Sequence, residues 1–176
     1  MFNNYSQELD KTCLCRILNI SLDSLPNQTL LNLTQININS IDATTFWNMT
    51  KLASLILSKN ELRVLDENVF RYGLNSSLAS LDLNSNKLAN MTANLFTYLE
   101  KLKFLNLRNN LLTQISPNQF SRQRMLEFLD ISFNQLKTIS SNQFAGLNKL
   151  NYLNLSSNGL ASLGNQFTVK INNLFC

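Results

Sequence analysis

The side chains best suited to chemistry are scarce in this chain and do not form the groupings that an active site requires. The 176 residues include no His, so the commonest general base and a common metal ligand are both missing. Only four Gly are present, and the phosphate-cradling loops GxxxxGK[ST] and GxGxxG do not occur. We therefore predict no catalytic residue, no metal site and no cofactor, and we expect a protein that is not an enzyme.

Three cysteines, Cys13, Cys15 and Cys176, are the disulfide candidates. A bridge between Cys13 and Cys15 would close across one intervening residue and would be strained. Three cysteines cannot all pair within one chain. Either the chain is a piece of a longer protein, or one thiol is free or pairs with another molecule.

The charge balance gives little indication of a nucleic-acid or membrane partner. The formal net charge is +4, with −2 in residues 1–100 and +6 in residues 101–176. A charge of +6 spread over a whole half of the chain is weak evidence for phosphate binding, so we do not expect nucleic acid as a ligand. The sequence also contains no run that approaches the roughly 20 apolar residues of a membrane span.

An internal repeat of about 24 residues organises the chain. Five stretches align without gaps to the pattern LxxLxLxxNxL: LASLILSKNEL, LASLDLNSNKL, LKFLNLRNNLL, LEFLDISFNQL and LNYLNLSSNGL. Their Asn residues form a structural ladder at Asn60, Asn86, Asn110, Asn134 and Asn158. A Phe column follows ten residues after the Asn in four repeats, at Phe70, Phe96, Phe120 and Phe144, and one residue earlier in the last, at Phe167. A degenerate sixth repeat lies upstream, where Ile36 occupies the Asn position, and we expect it to be irregular or shielded by a cap.

These motifs resemble the 24-residue, Phe-containing class of extracellular leucine-rich repeat proteins, which includes Toll-like receptors, small proteoglycans and variable lymphocyte receptors. The resemblance implies an α/β solenoid, a leucine-rich repeat horseshoe with short parallel strands on the concave side. Irregular or 3-10 segments would line the convex side, where the Phe column would stack as a second spine.

The ends of the chain resemble the cysteine-containing caps of such proteins. The motif CxC is followed by LxxLP at Leu22, Leu25 and Pro26, and the chain ends in VKINNLFC. We therefore expect four segments: an N-terminal extension at 1–12, a partial cap at 13–28, six repeats at 29–168, and at 169–176 the start of a C-terminal cap that continues beyond the given residues.

Sequons of the form N-x-S/T are more frequent than the composition alone would give, about five by chance. The candidate glycosylation sites are Asn19, Asn27, Asn32, Asn48, Asn75, Asn90 and Asn154, with a further sequon at Asn4. Asn75 lies where its repeat carries two extra residues, which indicates a surface loop. Asn32 and Asn154 fall within strand segments that face the concave side.

The repeat register also identifies side chains that should face the concave surface. Phe104, Phe128 and Tyr152 occupy one position in three consecutive repeats, and neighbouring strands would bring their rings within stacking distance. The candidate ligand-binding residues are Phe104, Arg108, Phe128, Asp130, Phe133 and Tyr152. An aromatic ladder of this kind would serve either to stabilise the sheet or to contact a ligand.

The resemblance implies an extracellular or cell-surface receptor, innate immune or adhesive, whose concave face binds a protein or a glycan. Such a protein would be a disulfide-bonded glycoprotein, with its signal sequence and any membrane anchor outside the given residues. Two alternatives remain open. One is a matrix protein of the proteoglycan type that spaces other components or forms a homodimer, and the other is an intracellular scaffold with reduced cysteines.

Overall fold

The computed structural model describes residues 8–18, 22–75, 77–161 and 173–175. Their main feature is a sheet of seven short strands, one from each of the six repeats and one from residues 173–175. The strands are β2 (Leu30–Asn32), β4 (Ser54–Ile56), β5 (Ser80–Asp82), β6 (Phe104–Asn106), β7 (Phe128–Asp130), β8 (Tyr152–Asn154) and β9 (Asn173–Phe175). All are parallel and follow one another in chain order.

The repeat pattern explains the form of this sheet. The six strands β2, β4, β5, β6, β7 and β8 are each three residues long and have a buried leucine in the middle. Because successive side chains of a strand point to opposite faces, the two flanking residues face the concave surface. The predicted solenoid with short parallel strands is confirmed.

In the part of the chain that the structure describes, the convex side is built from turns, with one 3-10 helix at Ser141–Phe144. The Phe column is buried beneath these segments, and its rings stack with centroid separations of 6.4 Å for Phe70–Phe96, 6.0 Å for Phe96–Phe120 and 6.3 Å for Phe120–Phe144. The column therefore forms the second spine that the repeat predicts. Its last predicted member, Phe167, lies outside the described residues.

The Asn ladder joins each repeat to the one before it, as Asn110 illustrates. The Nδ2 group of Asn110 donates to the carbonyl oxygen of Leu107 in its own repeat at 3.1 Å and to that of Leu83 in the preceding repeat at 3.0 Å. Its Oδ1 accepts from the backbone N–H of Leu88 at 3.1 Å. The same set of bonds recurs at Asn60, Asn86, Asn134 and Asn158. Each amide thus satisfies backbone groups that are removed from water.

The first repeat keeps a regular strand although Ile36 replaces its Asn. The amide of Asn60, one repeat later, donates to Leu33 O at 2.7 Å and accepts from the N–H groups of Ile36 and Ile38 at 3.1 and 3.0 Å. Each ladder Asn bonds backbone groups of the repeat before its own. An Asn at position 36 would therefore have bonded backbone groups upstream of the first repeat. The expected irregularity is therefore not seen in the strand, whose Leu30 pairs in register with Ser54.

The segment before the repeats packs against the first of them. It contains β1 (Glu8–Leu9), α1 (Lys11–Leu18) and a 3-10 helix (Leu22–Asn27), and β1 pairs in parallel with β3 (Ser40–Ile41). The Thr45 hydroxyl donates to the carbonyl oxygen of Leu9 at 2.5 Å. The buried side chains that this segment adds to the core are Leu9, Leu14, Cys15 and Leu25. These contacts shield the first repeat from solvent.

The cysteines and the chain ends lie partly within the described residues. Cys15 is buried and Cys13 is half-buried on α1, and neither forms a disulfide with any described residue. Cys176 lies outside the described residues. Strand β9 adds a seventh strand to the sheet within residues 169–176, which the sequence assigns to a C-terminal cap. The domain boundaries remain predictions.

Candidate functional site

The concave face carries a continuous stack of aromatic rings, which we call the concave ladder: Phe104, Phe128, Tyr152 and Phe175. The ring centroids of Phe104 and Phe128 are 4.5 Å apart at an interplanar angle of 12°, and those of Phe128 and Tyr152 are 4.3 Å apart at 6°. Phe175 lies 5.3 Å from Tyr152, tilted by 42°, and is 48% exposed. Parallel strands in register therefore bring together the first three rings as predicted, and Phe175 joins them from a neighbouring position on β9.

The orientation of the rings limits what the ladder can bind. Phe128 has a ring against each of its faces, so only its edge is available to a ligand. Phe104, Phe128 and Tyr152 are half-buried, which leaves these edges accessible. An apolar surface of a partner can pack on the edges, whereas a flat ligand can stack only at the ends of the ladder.

Arg108 and Phe133 form a second feature of the same face. The Arg108 guanidinium lies 4.0 Å from the centroid of the Phe133 ring and donates to the Ser132 hydroxyl at 3.0 Å. Phe133 is 44% exposed. A cation over an aromatic face is attracted by the electron density of the ring. The pair presents an apolar surface and a charge next to each other, as interface anchors commonly do.

Phe133 has a left-handed backbone conformation, with a φ of 55°. All six residues that precede the ladder Asn position share this geometry: Gln35, Lys59, Ser85, Asn109, Phe133 and Ser157. Bulky side chains are uncommon in this region because Cβ crowds the backbone. Phe133 is the only aromatic residue of the six, and its contact with Arg108 offsets part of the strain.

Asp130 is placed differently from what the sequence analysis predicts. It is only 7% exposed, its Oδ1 accepts from the backbone N–H of Ser132 at 2.8 Å, and its Oδ2 accepts from Asn154 Nδ2 at 3.4 Å. Asp130 therefore satisfies a backbone N–H at the end of its strand. Because it is buried, it is poorly placed to contact a ligand. The same bond to the N–H two residues later is made by Asn32, Asp82, Asn106, Asp130 and Asn154. An Asn or Asp at five of six equivalent positions was a sequence signal for this role.

The sequons differ in accessibility. Those whose Asn is exposed are Asn27, Asn32, Asn48, Asn75 and Asn90. Asn154 is 9% exposed, and its Nδ2, the atom that would carry a glycan, donates towards Asp130 Oδ2 at 3.4 Å and Tyr152 Oη at 3.3 Å. The folded chain therefore does not present Asn154 for modification. Asn4 and Asn19 lie outside the described residues.

One convex surface was not singled out by the sequence analysis. The Arg71 guanidinium lies 5.2 Å from the Tyr72 ring centroid and 5.4 Å from that of Tyr98. These residues come from loops whose side chains vary between repeats, so the repeat pattern contains no signal for them. Elsewhere among residues 8–18, 22–75, 77–161 and 173–175, no group of Cys, Asp and Glu is placed to hold a metal ion, and no helix is long and apolar enough to cross a bilayer.

Comparisons with known proteins agree with this architecture. A family model described as Leucine rich repeat matches residues 76–136 and 124–160. A comparison with curated proteins gives no match. Among solved structures the chain is similar to Toll, from the Drosophila Toll–Spatzle complex, at 33% identity with a TM-score of 0.71 over 76% of this chain and 17% of Toll.

Two further solved structures are similar over more of the chain. TLR13, from a complex with ssRNA13, matches at 29% identity and a TM-score of 0.71 over 84% of this chain and 22% of TLR13. The APL1 leucine-rich repeat domain matches at 27% identity and a TM-score of 0.75 over 92% of this chain and 40% of the APL1 chain. The chain thus spans less than half the length of each of these proteins. It is a leucine-rich repeat protein, and its solenoid is of the type found in Toll-like receptors.

Proposed function

We propose that the chain is a non-enzymatic binding module, part of an extracellular leucine-rich repeat receptor of the innate immune or adhesion type, and that it binds a protein on its concave face. The observation that carries this proposal is the concave ladder, a half-exposed aromatic stack held by a hydrogen-bonded sheet. Rigid strands present such side chains with little rearrangement on binding. The Arg108–Phe133 pair adds a charge beside the apolar surface.

A protein ligand is favoured over the other candidates. The edge-on rings of the ladder leave few faces on which a sugar or a base could stack. Toll is seen in a complex with Spatzle and TLR13 in a complex with ssRNA13, so related solenoids bind both classes. On the concave side, Asp82 lies in β5, Asp130 in β7 and Arg108 two residues after β6, so this face carries charges of both signs and lacks the row of cations that a phosphate backbone requires.

The extracellular location is supported by the similarity to Toll and TLR13 and by the five exposed sequons. It is tested by secreting the chain from animal cells and measuring its mass before and after removal of N-glycans. We expect a mass loss that maps to the exposed sequons, with Asn154 unmodified. An unchanged mass would favour the intracellular scaffold.

The binding face is tested by blocking it with a glycan. Arg108→Thr creates an N-x-T sequon at Asn106, on the concave face. The double substitution Tyr98→Asn and Glu100→Thr creates a matched sequon on the convex side. Both variants and the parent chain are screened against a library of secreted and cell-surface proteins displayed on cells.

We call a library protein that binds the parent chain the captured partner. We expect the concave glycan to abolish its binding and the convex glycan to leave its binding unchanged. If the convex glycan abolished binding and the concave glycan did not, the proposal would be contradicted. Sedimentation of the same three proteins tests the alternative of a matrix module. A parent dimer that the concave glycan dissociates would indicate dimerisation through the ladder.

A further inference from the structure

The concave ladder ends abruptly at Phe104. In the two preceding strands, the position equivalent to Phe104 is occupied by Ser80 and Ser54, which pair in register with it and with each other. Three strand spacings, about 14 Å, therefore separate Phe104 from the next large side chain in this row, Leu30, which is 56% exposed. The flanking positions Ala53 and Ala79 are also small. We call this run of small side chains the serine shelf. At its edge, Phe104 stacks with another described ring only on the side of Phe128, so the opposite, open face of Phe104 borders the shelf.

Asp82 places a negative charge at the rim of the serine shelf. It lies two residues after Ser80 on the same strand, so both side chains point to the concave face. Its oxygens accept from Asn84 Nδ2 at 2.8 and 2.9 Å and from the Asn84 N–H at 3.0 Å. Within the described part of the chain, Asp82 has no cationic partner, and the Ser54 and Ser80 hydroxyls have no hydrogen-bond partner. Asp82 is half-buried, whereas its equivalent Asp130 is buried.

We propose that the serine shelf receives an arginine side chain of the protein partner, with the guanidinium lying on the open face of Phe104 and donating to Asp82. This inference rests on the proposed function and names the chemistry that the ligand must supply at one point. The planar guanidinium would stack on Phe104 in the place that a fifth ring of the concave ladder would occupy. Its N–H groups would point along β5 towards the carboxylate of Asp82. The chain itself pairs a guanidinium with a phenyl ring at Arg108 and Phe133, 4.0 Å apart.

Other side chains satisfy only part of this site. A lysine matches the charge of Asp82 but cannot stack on Phe104 as a plane. An aromatic ring stacks on Phe104 but leaves the carboxylate without a donor, and removing water from an unpaired charge is costly. Arginine combines a plane, a permanent positive charge and five N–H donors in one side chain.

The test titrates the 15N-labelled full chain with the peptide acetyl-Gly-Arg-Gly-amide and follows the backbone amide signals by NMR. The matched probe replaces arginine with citrulline, which is nearly isosteric and neutral. We expect saturable shifts at Ser80, Asp82 and Phe104, and at least threefold weaker binding of the citrulline peptide. Equal binding of the two peptides, shifts confined to other surfaces, or tighter binding of acetyl-Gly-Trp-Gly-amide would overturn the arginine assignment.

Two substitutions separate the site from the fold. Asp82→Asn keeps the strand-closing bond, because asparagine makes it at Asn106, and should weaken arginine-peptide binding at least threefold. Ser80→Phe should fill the serine shelf, continue the stack and abolish peptide binding while the melting temperature stays the same or rises. Glu67→Gln, an exposed carboxylate on a convex loop, is the charge-matched control and should bind like the parent chain.

The same variants distinguish this inference from the proposed function. If the captured partner needs the concave face but binds Asp82→Asn and Ser80→Phe as tightly as the parent chain, the arginine site is wrong and the proposed function stands. If no captured protein depends on the concave face, the proposed function fails whatever the peptide titration shows.

Discussion

The same repeat builds two stacks of aromatic rings in this molecule, and they differ in spacing and in exposure. On the convex side, Phe96 and Phe120 are fully buried with their centroids 6.0 Å apart. On the concave side, Phe104 and Phe128 are half-buried and only 4.5 Å apart. Successive repeats are thus farther apart at the Phe spine than at the sheet, so the solenoid curves towards its strands.

This difference separates a stack that holds the fold from one that is available for binding. The buried spine removes large apolar surfaces from water, which is the dominant stabilising term. The concave ladder gains ring stacking but leaves its edges in solvent, so its packing stabilises the sheet less. Four substitutions test this contrast, each measured as the free energy of unfolding by urea denaturation.

The largest loss is expected for Phe120→Ala in the buried spine. Phe120 has stacked neighbours on both sides at 6.0 and 6.3 Å, and its truncation leaves a cavity between repeats. Such substitutions cost about 3–5 kcal/mol. Phe120→Leu, which fills most of the cavity, should cost clearly less. A loss below that of the equivalent concave substitution would contradict the assignment of stability to the convex side.

Asn110→Ala, at the boundary between strand and convex segment, should have the next largest effect. It would leave the N–H of Leu88 and the carbonyl oxygens of Leu83 and Leu107 without this partner in a buried site. The Leu88 N–H is then buried without an acceptor, whereas Leu83 O and Leu107 O each lose one bond but still accept from Asn86 Nδ2 and Asn134 Nδ2. One unsatisfied donor and two lost bonds cost about 2–3 kcal/mol in total. The matched control is Ile36→Asn in the first repeat, which should change stability little. Equal changes in stability at both positions would argue against the interpretation that each ladder Asn stabilises mainly by bonding the preceding repeat.

Phe128→Ala in the concave ladder should cost about 1–2 kcal/mol, because it removes two stacking contacts from a half-exposed ring. The same substitution should weaken binding of the captured partner more than Glu67→Gln, a change on a convex loop outside both the concave ladder and the serine shelf. A loss of stability as large as that of Phe120→Ala, with unchanged affinity, would make the ladder purely structural.

Phe133→Asn should have the smallest effect, below about 0.5 kcal/mol. Asparagine relieves the strain of the left-handed backbone, and this gain offsets the lost contact with the Arg108 guanidinium. Phe133→Leu keeps the strain and loses the contact, so it should destabilise the chain by about 1 kcal/mol. If Phe133→Asn destabilises as much as Phe133→Leu, backbone strain at this position is negligible.

The repeat pattern was sufficient to predict the solenoid and the neighbours within each stack. It predicted that Phe128 lies between Phe104 and Tyr152, because a fixed period in parallel strands aligns equivalent residues. It did not predict the burial of Asp130 or Asn154, because periodicity indicates which strand positions point outward but not which outward side chains fold back onto the backbone. These two residues are buried because their side chains turn back to bond the backbone and each other.

The sequence by itself determined the register of this protein: which residues are leucine core, which form the Asn ladder and which share a concave row. Periodicity suffices for this because each repeat repeats the same short-range geometry. Only the tertiary structure decided which members of a row are available to a partner. Phe175 caps the ladder from a different strand position, Ser80 leaves the opposite end open, and Asp82 stays half-buried where Asp130 does not. These differences in exposure between equivalent residues depend on the side chains of the neighbouring repeats, so the sequence of a single repeat does not reveal them.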